Sequence, residues 1–252
     1  MIALVVSGSW ASPAFADISG FNSLIDWTYK QADSGSPASI PNANTVRLTN
    51  AGSFESRAVW YNTPQTFANF LVSFTYQSQG AAGCGSNDFG VAFVLHNNVN
   101  GLNAVAPSGG GDGYGYYLIT TSAAVTLQAR SNASGYFTNG SFGGGGANPV
   151  APVTLLSGRP INVTLSYNGS ILTQTLVDSV TSATFSTNYI ATNMTAALGG
   201  GSTAYVGITG STTCNAGTDQ YLSNFQYTSV PEPSGLALLG IMGLAVRRRR
   251  IG

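Results

Sequence analysis

Residues able to run catalysis are few in this sequence, and they are far apart. Of 252 residues, nine are acidic, nine basic and one is a histidine. Glycoside cleavage needs two carboxyl groups flanking one bond, one as acid and one as nucleophile or base. Between the chain's two ends the only glutamate is Glu55, and no other acid lies within twenty positions of it. His96 is the only histidine. No Gly-x-Ser-x-Gly elbow offers it a nucleophile, and it reads as a loop residue at a strand end. Neither a full Gly-x-Gly-x-x-Gly fingerprint nor a P-loop occurs. A hard cation takes carboxylate oxygens, yet no Asp or Glu stands between Asp112 and Asp178. The expectation is a protein without catalytic residues, cofactor or resident metal. What remains is a set of aromatic rings and amides. Tyr114, Tyr116, Tyr136 and Phe137 can present aromatic faces, and Asn132 and Asn139 can offer paired amide contacts. Gly110 and Gly111, within the run 109–113, lack Cβ atoms and let a ligand approach the backbone closely. Ordinary core or loop packing is the competing role for the aromatic residues and amides. A plain surface loop is the competing role for the glycines.

The elements that must position these residues are strands. Only 7% of residues are charged, against about 25% in an average globular chain. With 43% hydrophobic residues the chain can build a core. No stretch of the body sustains helical periodicity over a dozen residues. Phe70, Val72, Phe74 and Tyr76 alternate with smaller or more polar neighbours, while residues 91–95 form a continuous apolar run. Such a run predicts a central strand covered on both faces. Ile161, Val163 and Leu165 alternate up to Asn168-Gly169, and the chain returns over 171–177. That spacing predicts a hairpin with a type I′ turn. Residues 205–209 and 221–227 read as two late strands, and 193–198 as one helical turn capped by Asn193. Many short strands without crossover helices make an all-β sandwich or jelly roll.

Both ends of the chain read as addresses. Residues 1–16 form a short apolar stretch closing on Ala14-Phe15-Ala16, a small-x-small cleavage pattern. No Lys or Arg precedes the stretch, so the expectation is a signal peptide whose true start lies upstream. Residues 17–229 form the body, with five basic and eight acidic residues, a net of 5 − 8 = −3. Residues 230–252 carry Pro231-Glu232-Pro233, an apolar run over 235–246 and then Arg247, Arg248, Arg249 and Arg250. As a helix the run covers about 18 Å, short of the roughly 30 Å hydrocarbon core. The arginines would stay cytoplasmic. They are the only basic cluster, so no nucleic-acid footprint exists.

This tripartite tail resembles the PEP-CTERM sorting signal of Gram-negative bacteria. The resemblance implies export, retention in the inner membrane by a short apolar helix, and processing near Pro231-Glu232-Pro233 by an exosortase. The body resembles legume-type (L-type) lectins and their bacterial relatives. The segments that carry this are RAVWYNTPQTFANFLVSFTYQ (57–77), DFGVAFVLHNNVNGLNAVAPSGGGDGYGY (88–116), INVTLSYNGSILTQTLV (161–177) and AYVGITGSTTCNAGTDQYLSNFQY (204–227), in the family's order. The resemblance implies a concanavalin-like jelly roll and a glycan or exopolysaccharide partner. It also implies a sugar site using Asp88, a loop glycine (Gly110 or Gly111) and an asparagine or aromatic residue, for which Asn132 and Tyr136 are the candidates. The family's calcium strand reads Val-Glu-Phe-Asp, whereas the matching stretch here is Val125-Thr126-Leu127-Gln128. Sugar binding would therefore run without metal. In the lectin fold the loops holding Cys84 and Cys214 meet at the sugar end, which implies a Cys84–Cys214 disulfide in an oxidising compartment. The competing function is a structural envelope or biofilm-matrix protein that kept the sandwich and lost metal and sugar binding.

Overall fold

The computed structural model describes residues 18–21, 25–33, 35, 37–42, 44–80, 89–107, 114–141, 147–212 and 218–230. Their strands are β1 (Ile18–Ser19), β2 (Trp27–Gln31), β3 (Ser39–Asn42), β4 (Thr45–Asn50), β5 (Ser56–Tyr61) and β6 (Gln65–Thr66). Next come β7 (Phe70–Gln79), β8 (Gly90–His96), β9 (Ser122–Gln128), β10 (Ala133–Thr138) and β11 (Asn148–Pro149). The chain closes with β12 (Ile161–Tyr167), β13 (Ile171–Asp178), β14 (Thr184–Ile190), β15 (Thr203–Ser211) and β16 (Asp219–Ser229). One four-residue helix, α1 (Met194–Ala197), lies between β14 and β15.

The strands pair antiparallel into two eight-stranded sheets. The back sheet has the order β14-β13-β12-β7-β16-β4-β3, with β1 beside β16. The front sheet has the order β11-β10-β9-β8-β15-β5-β2, with β6 beside β15. The all-β sandwich read from the sequence is the one observed. Its warrant is visible in β7 and β12, where every second residue is buried. Val72, Phe74 and Tyr76 of β7 and Val163 and Leu165 of β12 meet Val91, Phe93, Val125, Leu127 and Ile208 of the front sheet in one core.

A second apolar cluster covers the other face of the front sheet. Trp60, Ala92, Val94 and Ala124 pack there beneath Tyr114, Tyr116 and Ile119. All seven residues of β8 are therefore buried, as the apolar run 91–95 predicted. Tyr114 and Tyr116 are spent on this packing, which is the competing role foreseen for them.

Two local readings differ in detail. The hairpin at 161–178 forms, but Asn168 N–H donates to Ile171 C=O at 3.2 Å, so the two central residues are Gly169 and Ser170. Only Gly169 has positive φ, at 89°. Glycine alone in the first central position is the pattern of a type II′ turn, not I′. The Asn168 side chain accepts the N–H groups of Ser170 and Ile171, which fixes it outside the turn centre. The helical turn at 194–197 also forms, yet Asn193 makes no side-chain cap bond. Its Oδ1 accepts instead from the Tyr136 hydroxyl at 3.4 Å.

Candidate functional site

One end of the front sheet is a row of strand termini. Gly90 lies opposite Gln128 on one side and Ser211 on the other, Ser211 lies opposite Ser56, and Arg57 lies opposite Gln31. The chain joins this row from residues 81–88 at Phe89 and leaves it toward 213–217 after Thr212. Tyr114 docks beside it, where Thr209 Oγ1 donates to the Tyr114 carbonyl at 3.0 Å. Glycine permits the approach: a Cβ on Gly115 would lie 2.5 Å from Gly210 O, and Gly115 has φ of 72°. A Cβ on Gly90 would lie 1.9 Å from Leu127 O, so β8 and β9 close on each other here only without a side chain.

The two positions matched to calcium ligands are neutral and buried. Gln128 Nε2 donates to Thr126 Oγ1 at 3.2 Å, and Ser131 Oγ donates to Gln128 Oε1 at 3.1 Å. Thr126 Oγ1 donates to Gly135 C=O at 3.4 Å. Among the described residues no group of three or more His, Cys, Asp or Glu could hold a metal ion. Asn132 sits one turn beyond Gln128, with φ of 50°. Its Nδ2 donates to Val153 C=O and its Oδ1 accepts from Leu155 N–H, both at 2.9 Å. Its amide thus pins the segment 150–155 to the rim.

Beneath the same end lies a charged cluster that sequence spacing did not show. Arg57 is fully buried and pairs with Asp33, and its Nη2 donates to Glu55 Oε1 at 3.0 Å. Glu55 Oε2 accepts the Asn50 N–H at 3.0 Å. Burial raises the Glu55 carboxyl above its ordinary value, while the backbone N–H groups of Asn50 and Gly52 pull the other way. Asp33 also accepts from Ser56 N–H at 2.9 Å, tying β5 to the chain after β2. Glu55 and Arg57 alternate on one strand face, which is the local signal available. Asp33 joins them only through the β2–β5 pairing.

Tyr136 is not part of this rim. It lies mid-strand on β10, opposite Val125, and packs against the inter-sheet core. With Phe137, Thr138, Ser141, Ile190, Thr192 and Asn193 it lines a cleft of about 520 Å³. That cleft is toward the opposite end of the sandwich, so Asn132 and Tyr136 do not converge on one ligand. Burial pushes the Tyr136 hydroxyl far above its usual value. At the opposite end of β8, His96 is buried against Trp60 rather than set in a loop. Asp88, Gly110, Gly111, Cys84, Cys214, Pro231, Glu232, Pro233 and Arg247 to Arg250 lie outside the described residues, as do residues 1–16 and 235–246. Among the described residues no helix is long and apolar enough to cross a membrane.

The fold is that of the legume lectins. The Griffonia simplicifolia lectin I-B4 in its metal-free form superposes with a TM-score of 0.68 at 16% identity, covering 85% of this chain and 100% of the lectin. Peanut lectin gives 0.65 at 18% identity over 85% of this chain and 98% of its own. Arcelin-5, a lectin-like defense protein from Phaseolus vulgaris, gives 0.63 at 15% identity over 86% and 99%. The tail matches the PEP-CTERM protein-sorting motif over residues 229–250. The protein therefore joins a lectin-like jelly-roll body to a sorting signal for export. Comparison with curated protein sequences gave no match.

Proposed function

We propose that this is an exported, non-catalytic lectin-like protein that binds or organises glycan or exopolysaccharide at the cell envelope. The observation that carries the reading is the single rim at Gln128, Gly90, Ser211 and Ser56, beside which lie Phe89, Tyr114 and Thr212, one described neighbour each of 81–88, 108–113 and 213–217. Asp88, Gly110 and Gly111 belong to those segments. In this reading Asp88 accepts sugar hydroxyls and the glycine backbone donates in return. A Cys84–Cys214 disulfide staples the first segment to the third. The ligand is neutral, because Gln128, Ser56 and Ser211 at the described rim are uncharged and Arg57 is internal. An exosortase of a Gram-negative bacterium processes the tail after the inner membrane has held it through 235–246.

A glycan array probed with the full chain, with and without chelator, tests the proposal. Binding that survives chelation and is lost in Asp88→Ala is expected. No binding to any glycan overturns the reading. The alternative is a structural envelope or matrix protein on the same sandwich. It is favoured by Asn132, whose amide is engaged wholly within the protein.

A further inference from the structure

The two ends of the sandwich expose different chemistry. The rim closes one end. At the far end β8 finishes at His96, opposite the first residue of β9, and β7 starts at Phe70, opposite Ser229 of β16 and Tyr167 of β12. Nine large apolar side chains are exposed among the described residues. Only Phe54 and Val180 lie at the rim end, before β5 and after β13. The other seven gather at the far end. Val99 follows β8 and is 95% exposed, and Tyr117 and Leu118 precede β9. Ile25 precedes β2, and Ile190 closes β14 opposite Ile171. Leu71 is the second residue of β7, and Val230 N–H donates to Asn69 C=O at 2.9 Å just beyond β16. Single exposed apolar residues are ordinary, but their collection at one end marks a contact surface.

Charge is distributed the other way. Of the ten charged side chains among the described residues, nine lie toward the rim. They include the Arg57 cluster and the Arg47–Asp219 and Arg159–Asp178 pairs. Only Asp26 stands at the far end. The tail leaves from that end too. Four residues, 231–234, separate Val230 from the apolar run that begins at 235. Fully extended, the chain from 230 to 235 spans at most about 18 Å. The headgroup layer on each side of the hydrocarbon core is roughly 5–8 Å deep. A chain held by 235–246 therefore keeps Val230 within about 13 Å of the headgroup surface.

We propose that the far end of the sandwich is a bilayer-contacting face, by which the body itself rests on the membrane that holds the tail. This rests on the reading above that 235–246 lies in that membrane. The surface it fits is the uncharged interface of a phospholipid bilayer. Selection of anionic headgroups needs a basic cluster, and this end carries no cation among the described residues. Val99, Leu118 and Ile190 enter the boundary between headgroups and acyl chains, as the apolar face of an interfacial element does. The short tether makes the contact intramolecular, so contacts too weak to hold a free body suffice. The rim and the contact face are opposite ends of the same strands, so docking turns the rim away from the membrane. The eleven residues of β16 set its height at about 35 Å.

Flotation of the full chain with phosphatidylcholine vesicles reads whether the tail holds it. Phosphatidylcholine brominated on its acyl chains quenches a tryptophan that reaches them. Val99→Trp and Val180→Trp each add one indole at an exposed position, one at either end of the body, and the added emission is the difference from the parent. Brominated lipid is expected to quench most of the added emission at 99 and to leave that at 180 unchanged. Adding Leu118→Asp and Ile190→Asp to Val99→Trp should restore most of that emission while the chain still floats. Replacing half of the lipid with phosphatidylglycerol should change neither result. A floating chain with position 99 unquenched overturns the contact face and leaves the tail reading intact. Quenching that survives both aspartates also overturns it, because the tether alone then brings position 99 close. Quenching that needs phosphatidylglycerol overturns it as well, because the contact is then cationic. A chain that does not float overturns the tail reading and the contact face with it.

Discussion

The Trp60 indole meets the His96 imidazole edge-on, with ring centroids 4.2 Å apart. The pair is sealed between β5, β8 and the second apolar cluster. His96 Nδ1 accepts the Asn98 N–H at 3.2 Å, and its Nε2 is buried without a partner among the described residues. Burial lowers the His96 pKa to about 4.

That value gives a pH dependence with a definite sign. An unfolded histidine titrates near 6.5, so between about 6.5 and 4 the unfolded chain holds a proton that the folded chain refuses. Stability is full above 6.5 and falls as the pH drops through this window. Between pH 6.5 and 5 the loss is about 2 kcal/mol, at about 1.4 kcal/mol per pH unit. Urea titrations at both pH values should show it in the parent and not in His96→Phe. An equal loss in both proteins would assign the effect to other groups.

The Arg57 cluster makes a second test. Removing one member of a buried ionic network leaves its partners uncompensated, at a cost of about 3–5 kcal/mol. Arg57→Met should lose that much, because Asp33 and Glu55 then remain buried beside each other. The triple substitution Asp33→Asn, Glu55→Gln and Arg57→Met should recover much of it. If Arg57→Met costs under about 1 kcal/mol in urea unfolding, the cluster behaves like a surface pair.

A third prediction concerns metal. A ion bound only by the folded chain would stabilise it by RT ln(1 + [L]/Kd), several kcal/mol for a tight site. Thr126 and Gln128 offer no charge and are already bonded to each other. Chelation should leave the melting temperature unchanged, and added calcium should not raise it. A calcium-dependent shift in scanning calorimetry would reassign the ligand positions.

The tail is tested in the exporting cell. Replacing Pro231, Glu232 and Pro233 with alanine should preserve export and abolish processing, leaving full-length protein in the inner-membrane fraction. Normal maturation of that variant, seen by immunoblot, would rule out the motif as the processing signal.

Much of the sandwich was legible because burial in strands is periodic. Alternation in 70–76 and 161–165 named the inward residues of β7 and β12, and the unbroken run 91–95 marked β8 as covered on both faces. Local chemistry was read less well, because a single hydrogen bond decides it. Asn168 lies one position outside the turn centre, and Asn193 gives its oxygen to Tyr136 rather than to its own helix. The Arg57 cluster was hidden for another reason. Asp33 reaches Arg57 through a strand pairing that sequence distance does not reveal. The aromatic and amide candidates divide along the same line. The lectin resemblance marked Asn132 and Tyr136 as sugar-site candidates, but only the packing shows one tied to a loop and the other at a separate cleft.

The double covering of β8 also sets a timescale. Its seven residues lie between β9 and β15, with apolar clusters on both faces. No partial opening of one face frees their amide hydrogens, so deuterium enters them only when the whole domain unfolds. β8 then serves as an internal clock. One exchange experiment on β8 therefore reads the global stability of the domain.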